Sequence, residues 1–251
     1  MQNKRRELIL RELGLLPLWI RRDRARPPAE QIAAVKPDAM PPAPAAELEP
    51  ETARSARILR LGWAELKQMV KACTDCPLHA ARKQSVFGVG DEKADWLFIG
   101  EGPGAEEDAR GEPFVGQAGR LLDSMLAAIA LKRGNDVYIA NIVKCRPPGN
   151  RVPESSEAGQ CEPYLLRQIQ LIEPRLIIAL GKTAASNLLH TEASIGSLRG
   201  RLHDFRGTPL IVTYHPAYLL RNLADKAKAW EDLCFARETM TRLKGQQPGL
   251  T

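Results

Sequence analysis

The sequence predicts an α/β fold, a three-layer α/β/α sandwich with a four-stranded parallel sheet, preceded by a disordered Pro/Ala-rich N-terminal tail. Three observations predict it. Short apolar runs alternate with longer stretches whose apolar residues recur at helical spacing. At 44% hydrophobic and 26% charged, the composition is that of an ordinary globular protein. Residues 27–50, by contrast, hold seven Pro and seven Ala with almost no large apolar side chain, too little to offset the entropy of ordering.

Arg6 to Trp19 is a short amphipathic turn or helix ended near Pro17, and 27–50 is an extended linker. Residues 1–55 therefore form a basic N-terminal segment with its linker, and 56–245 the folded domain. Ile58 to Ala72 reads as a helix leading into a Cys pair. Trp96-Leu97-Phe98-Ile99 is a strand ending on Gly100. Leu121, Leu122, Met125, Leu126 and Ile129 put one buried face on a helix over 117–131. Val137 to Val143 is the second strand. A helix starts near Pro153-Glu154 and runs to about Ile172. Arg175 to Leu180 is the third strand, closed by Gly181 and followed by a helix to His190. Leu210 to Tyr214 is the fourth strand, and a last helix covers Asp225 to Leu243.

In such a sheet, ligands sit at the carboxyl ends of the strands. Gly100 to Gly104, Asn141 to Cys145 and His215 to Arg221 occupy those ends and should converge.

No apolar run approaches the roughly 20 residues that span a bilayer, and the broken, basic N-terminus does not read as a secretory signal. Five unevenly spaced cysteines do not make a disulfide scaffold, and a reducing cytoplasm would keep them as thiols. The net charge of +6 is concentrated: residues 1–26 carry eight Lys/Arg against three acids, +5, leaving about +1 for the rest. Charge alone therefore argues weakly for a nucleic-acid partner.

Cys73 and Cys76 offer two thiolates from one tight turn. Cys145 follows a strand, and Cys161 lies 16 residues further on. Four thiolates suit tetrahedral zinc or a four-iron cluster equally well. Cys234, in an apolar helical stretch, is a core residue.

The glycines of Gly100-Glu101-Gly102-Pro103-Gly104 allow close backbone approach to a ligand, but the segment lacks a P-loop ending. Phe114 is flanked by turn residues, which suggests a presented aromatic, although core packing is the more common place for a single Phe. Asn141 could read a donor–acceptor edge, and His215 puts a titratable group on the rim. Tyr218, Leu219, Leu220 and Arg221 place apolar and basic groups on one loop, suited to a wedge with a phosphate contact.

Together these motifs resemble the family 4, iron–sulfur uracil-DNA glycosylases. The matching stretches are CTDCPL (73–78), GEGPGAEED (100–108), GEPFVGQAGRLL (111–122), NIVKCRPPGNR (141–151), Cys161 and HPAYLLR (215–221). The resemblance implies a [4Fe-4S] cluster on Cys73, Cys76, Cys145 and Cys161, and hydrolysis of the N-glycosidic bond of deoxyuridine in single- or double-stranded DNA. The base must first leave the stack. By motif, Phe114 stacks on the uracil, Asn141 bonds its polar edge, Gly102 gives close backbone contact, and His215 donates to the uracil oxygen as charge builds there. Glu107 is the candidate for crowding a thymine methyl, and Tyr218, Leu219 and Arg221 are the DNA contacts. At the position matching Gly102, family 1 relatives carry a water-activating Asp. Either Glu101 helps position the water or catalysis rests on stabilising the leaving group and the oxocarbenium ion; the second is favoured.

At the N-terminus, Leu13-Gly14, Trp19 and Arg21-Arg22 look like the start of the psi subunit of the bacterial clamp loader. This implies a replication or repair protein as partner of the tail. A monomer in the cytosol or nucleoid, with no membrane contact, is expected. The competing readings are removal of hypoxanthine or xanthine, a non-catalytic DNA-binding module, and an electron carrier. The last is disfavoured because the Cys spacing does not match ferredoxin runs.

Overall fold

A computed structural model describes residues 53–245. The amphipathic segment and the Pro/Ala-rich linker lie outside the described residues. The chain begins with α1 (Ala53–Ile58), α2 (Trp63–Ala72) and α3 (Leu78–Ala81), then β1 (Val89–Gly90) and β2 (Trp96–Gly100). Helices α4 (Ala105–Arg110) and α5 (Gln117–Ala128) lead to β3 (Val137–Asn141), and a 3-10 turn at Pro148–Asn150 precedes α6 (Ser155–Ile172). Next come β4 (Leu176–Leu180), α7 (Lys182–Leu189), α8 (Ile195–Leu198), β5 (Leu202–Phe205) and β6 (Thr208–Thr213). The described chain closes with α9 (Pro216–Arg221), a 3-10 turn at Leu223–Asp225 and α10 (Lys226–Gly245).

The sheet runs β1-β3-β2-β4-β6-β5. Its four central strands are parallel, and they are the four that the sequence predicts. The expected strand count needs correction, because β1 and β5 add an antiparallel strand at each edge. Neither has an apolar signature. Two-residue β1 ends on a glycine, and β5 is the exposed arm of a hairpin. Its turn, Arg206-Gly207, takes φ of +52° and +88°, the left-handed pair that matches strand twist in a two-residue hairpin. The predicted helix over Ile58 to Ala72 starts later, as α2 at Trp63, where Glu65 accepts from Gly62 N, while Ile58 is the last residue of α1.

The central strands are apolar without alternation because both faces are covered. Leu97, Ile99, Tyr138, Ala140, Ile177 and Val212 point to the layer of α2, α6 and α7. Trp96, Phe98, Val137, Ile139, Ile178 and Ile211 point to the layer of α5 and α10. The two cores make the three layers. No helix among the described residues is long and apolar enough to cross a membrane.

Candidate active site at the strand ends

The β2–β3 ladder continues past the strands into both predicted motifs: Ile142 N donates to Gly100 O (2.9 Å) and Val143 N to Glu101 O (3.2 Å). This fixes the GEGPG segment against the Asn141–Cys145 loop. At Gly100 the packing leaves no room for a side chain. A Cβ there would stand 2.5 Å from Asn141 Oδ1 and 2.5 Å from Phe114 Cζ. Phe114 and His215 stand with ring centroids 5.5 Å apart. Gly102 lies against the side of Val143, where a Cβ would come within 2.8 Å of Cγ2. Thus the three strand ends converge, bringing Phe114, Asn141 and His215 together.

The polar groups there are poised rather than satisfied. Asn141 is buried, and its Oδ1 accepts no hydrogen bond among the described residues. A buried amide oxygen left this way carries a desolvation cost of about 1–3 kcal/mol. His215 caps α9, and its Nδ1 accepts from Ala217 N at 3.1 Å. That bond requires an unprotonated Nδ1 and leaves the proton on Nε2. Burial, with a smaller contribution from the Arg221 charge and against the pull of Glu107, lowers the imidazole pKa to about 4. His215 is therefore a neutral Nε2–H donor at physiological pH.

Phe114 is held at φ +55°, a left-handed backbone that costs a non-glycine residue of order 1–3 kcal/mol. Glu107 is a clamp. Its Oε1 accepts from Val115 N and Gly116 N, both at 3.0 Å, and its Oε2 from Gly104 N at 3.1 Å. It joins the glycine loop to the turn that carries Phe114. Glu101 accepts a short hydrogen bond from Thr183 Oγ1 at the start of α7, 2.5 Å.

The four predicted cysteines line one small cavity, together with Arg82, Lys144 and Tyr164. Cys73 caps the end of α2, Cys76 lies in the following turn, Cys145 follows β3, and Cys161 is on α6. Arg82 Nη1 donates to Cys145 Sγ at 2.7 Å and Lys144 N to Cys161 Sγ at 3.2 Å. Burial raises the Cys76 and Cys145 thiols and pushes Cys161 up to about 12. Among the described residues, no three His, Cys, Asp or Glu side chains are gathered tightly enough to hold a single metal ion. Cys234 lies apart on α10, half-buried rather than in the core as expected. A larger cleft, lined by Ser155, Leu165, Ser186, His190 and Phe205 among others, contains none of the predicted site residues.

Residues 87–234 match the family described as the Uracil DNA glycosylase superfamily. The chain belongs to that superfamily. It is similar to the type-4 uracil-DNA glycosylase of Pyrobaculum aerophilum, 42% identical over 68% of this chain and 91% of the relative. It is similar also to the type-4 enzymes of Thermotoga maritima, 46% identical over 65% of this chain and 85% of the relative, and of Archaeoglobus fulgidus, 43% identical over 62% and 82%.

Within this superfamily site, the predicted wedge needs correction. HPAYLLR is a helix, not a loop, and its turn takes Leu219 inward to 1% exposure against the α5 and α10 side of the core. A core side chain is unavailable for intercalation. The exposed apolar group on this rim is Leu223, at 65%. Tyr218 stacks on Tyr214 with centroids 5.2 Å apart and donates to Asp225 Oδ2 at 2.7 Å, while Arg221 is exposed. Arg82, Lys144, Thr183 and Arg133 escaped sequence reasoning. Their role is to hold other groups, and a single basic or hydroxyl residue carries no spacing signal. Lys144 is the extreme case: it is buried, with Nζ donating to Asn141 O at 2.9 Å and burial lowering its pKa to about 8.

Proposed function

We propose that this protein removes uracil from DNA, taking deoxyuridine out of the stack and hydrolysing its N-glycosidic bond to leave an abasic site. The observation that carries this reading is the meeting of Phe114, the unpaired Asn141 amide oxygen and the neutral His215 at the strand ends. Phe114 is the stacking surface for the base. Asn141 Oδ1 accepts the uracil N3–H while its amide nitrogen donates to O4. Cytosine presents the opposite pattern and would leave both groups unpaired, a basis for rejecting it. Gly102 lets the backbone come close to the base.

As the bond between C1′ and N1 breaks, the electron pair leaves with uracil, and His215 Nε2–H donates to the uracil oxygen that takes up the charge. Water adds to C1′, and the proton it gives up passes through solvent to the departing uracil anion. Glu101, held by Thr183, is the carboxylate available to orient that water, and leaving-group stabilisation carries most of the rate. The carboxylate of Glu107 is occupied by loop N–H groups, so any exclusion of a thymine methyl falls to the turn it holds. Tyr218, Arg221 and, in place of Leu219, Leu223 form the DNA-facing rim.

Cys73, Cys76, Cys145 and Cys161 would hold a [4Fe-4S] cluster. The four thiols line one cavity, and the resemblance of the flanking motifs, rather than their spacing, favours the iron–sulfur cluster over zinc. The N–H···S donors from Arg82 and Lys144 suit anionic ligands. When bound, the cluster supplies a cross-link between α2, α6 and the loop after β3. Residues 56–245 are the catalytic domain, working as a monomer in a reducing cytosol, and 1–55 tether it to a replication or repair protein.

The test is uracil release from single- and double-stranded DNA by the wild type, His215→Ala and Asn141→Ala, with iron and sulfide measured on the purified protein. Each substitution should lower the single-turnover rate by about 10²–10³-fold. Undiminished release by both variants would sink the site assignment, and the absence of iron would sink the cluster.

A further inference from the structure

Arg133 lies in the turn between α5 and β3, outside every motif that the sequence singles out. Its guanidinium Nη1 donates to Pro113 O at 2.8 Å and Nη2 to Phe114 O at 2.7 Å. Its Nε donates to Asp123 Oδ1 at 3.0 Å, and Nη2 is also 3.0 Å from that oxygen. Two consecutive carbonyls are thus gripped by two nitrogens of one planar fork, and a carboxylate from α5 sets the plane of that fork.

The gripped peptide is the strained one. Phe114 sits at φ +55°, a conformation that an aromatic residue leaves unless its surroundings hold it there. Gly119 packs against the same carbonyl, where a Cβ would fall 1.8 Å from Phe114 O. Released from the fork, residue 114 would relax toward an ordinary backbone region, and its ring would swing away from His215 and Gly100.

From this geometry we infer that Arg133 is a positioning residue, which holds Phe114 in its left-handed conformation so that the ring is presented as a preformed stacking surface. The inference rests on the reading of Phe114 as the base-stacking residue. Arg133 touches no substrate. Its effect passes through Phe114 alone, so the two positions must behave as one unit rather than as independent contributors. Lysine cannot replace it, because an ammonium on a flexible stem provides charge for Asp123 but not two parallel N–H groups.

The experiment is a cycle of Arg133→Gln, Phe114→Ala and the double variant, with Arg133→Lys as a fourth form. It reads the single-turnover rate of uracil release, the affinity for undamaged duplex and the Tm. Fluorine NMR on fluorophenylalanine-labelled protein, with the Phe114 signal assigned by its loss in Phe114→Ala, reads the ring directly. Arg133→Gln should lower the rate by about 10²-fold, the scale of a misplaced reacting geometry, and leave the affinity for undamaged duplex unchanged. The double variant should be no slower than Phe114→Ala, and the Phe114 fluorine signal should shift or broaden in Arg133→Gln. Arg133→Lys should recover Tm without recovering rate, and it carries the test if the glutamine form does not fold.

Losses that multiply in the double variant would overturn the inference, as would wild-type rate and an unmoved fluorine signal in Arg133→Gln. If the wild type releases no uracil, the uracil reading fails, and the fluorine spectrum still decides whether Arg133 holds the ring.

Discussion

At the ends of β2 and β3, the candidate pocket is fixed by backbone. The strand ladder extends through Gly100 and Glu101, Glu107 ties three loop N–H groups, and Arg133 grips two carbonyls. The rim from Tyr218 to Leu223 is built the other way. It is a six-residue helix and a 3-10 turn, anchored inward by Leu219 and outward by one tyrosine–aspartate bond, with Arg221 and Leu223 left in solvent. A pocket that discriminates one base must be preorganised, because its selectivity depends on groups that cannot adjust. A rim that meets a duplex of any sequence needs only charge and a small apolar surface. Substitutions in the pocket should therefore change chemistry, and those on the rim should change binding.

The hardest blow to the pocket is a single methyl group. Gly100→Ala places a Cβ 2.5 Å from both Asn141 Oδ1 and Phe114 Cζ, and neither wall can retreat without breaking the ladder or the clamp. We expect uracil release to fall by about 10²-fold or more, with a stability loss of about 1–3 kcal/mol. Single-turnover rates and thermal unfolding check both. A variant that keeps its rate would mean that the walls are looser than the contacts indicate.

A gentler way to break the pocket is acid. His215 titrates near 4 in the folded protein but near its ordinary 6.5 once unfolded. Between those values the unfolded chain binds more protons, so this group's contribution to stability falls as pH drops from about 6.5 to about 4 and is constant below. Uracil release should be flat through neutral pH and fall only as the solution approaches pH 4. Both trends should flatten in His215→Gln, measured by unfolding at stepped pH. An inflection of the wild-type rate near 6.5 would contradict an imidazole held neutral in the folded protein.

How much of this was legible in the sequence depends on which physical signal each part carries. The four parallel strands are continuous apolar runs, because helices cover both faces, and they were readable. The edge strands β1 and β5 are short or exposed, and pairing with a neighbour rather than burial makes them strands. Asn141 and His215 stood out because each sits where an apolar run stops, and Phe114 because turn residues flank it. Leu219 was misjudged for a local reason. HPAYLLR offers Pro at a first helical position, and the helix that follows buries Leu219 while the turn beyond it exposes Leu223. Arg133 and Lys144 were invisible because what they hold are backbone carbonyls, and a carbonyl leaves no mark on composition.

The rim gives the smallest effects on activity and the sharpest contrast. Leu219→Ala should cost about 2–5 kcal/mol of stability, because it empties a filled core position, and leave the rate of the folded fraction near that of the wild type. Leu223→Ala should do the reverse: Tm unchanged, with a loss of up to about tenfold in kcat/KM on duplex substrate, the scale of one exposed apolar contact. Arg221→Ala should weaken single-strand and duplex binding alike, and lower the slope of log affinity against log salt by about 1, the signature of one lost phosphate contact. An Arg221 variant that discriminates between uracil and cytosine differently from the wild type would erase the division between pocket and rim, because a group reading only the backbone carries no information about the base.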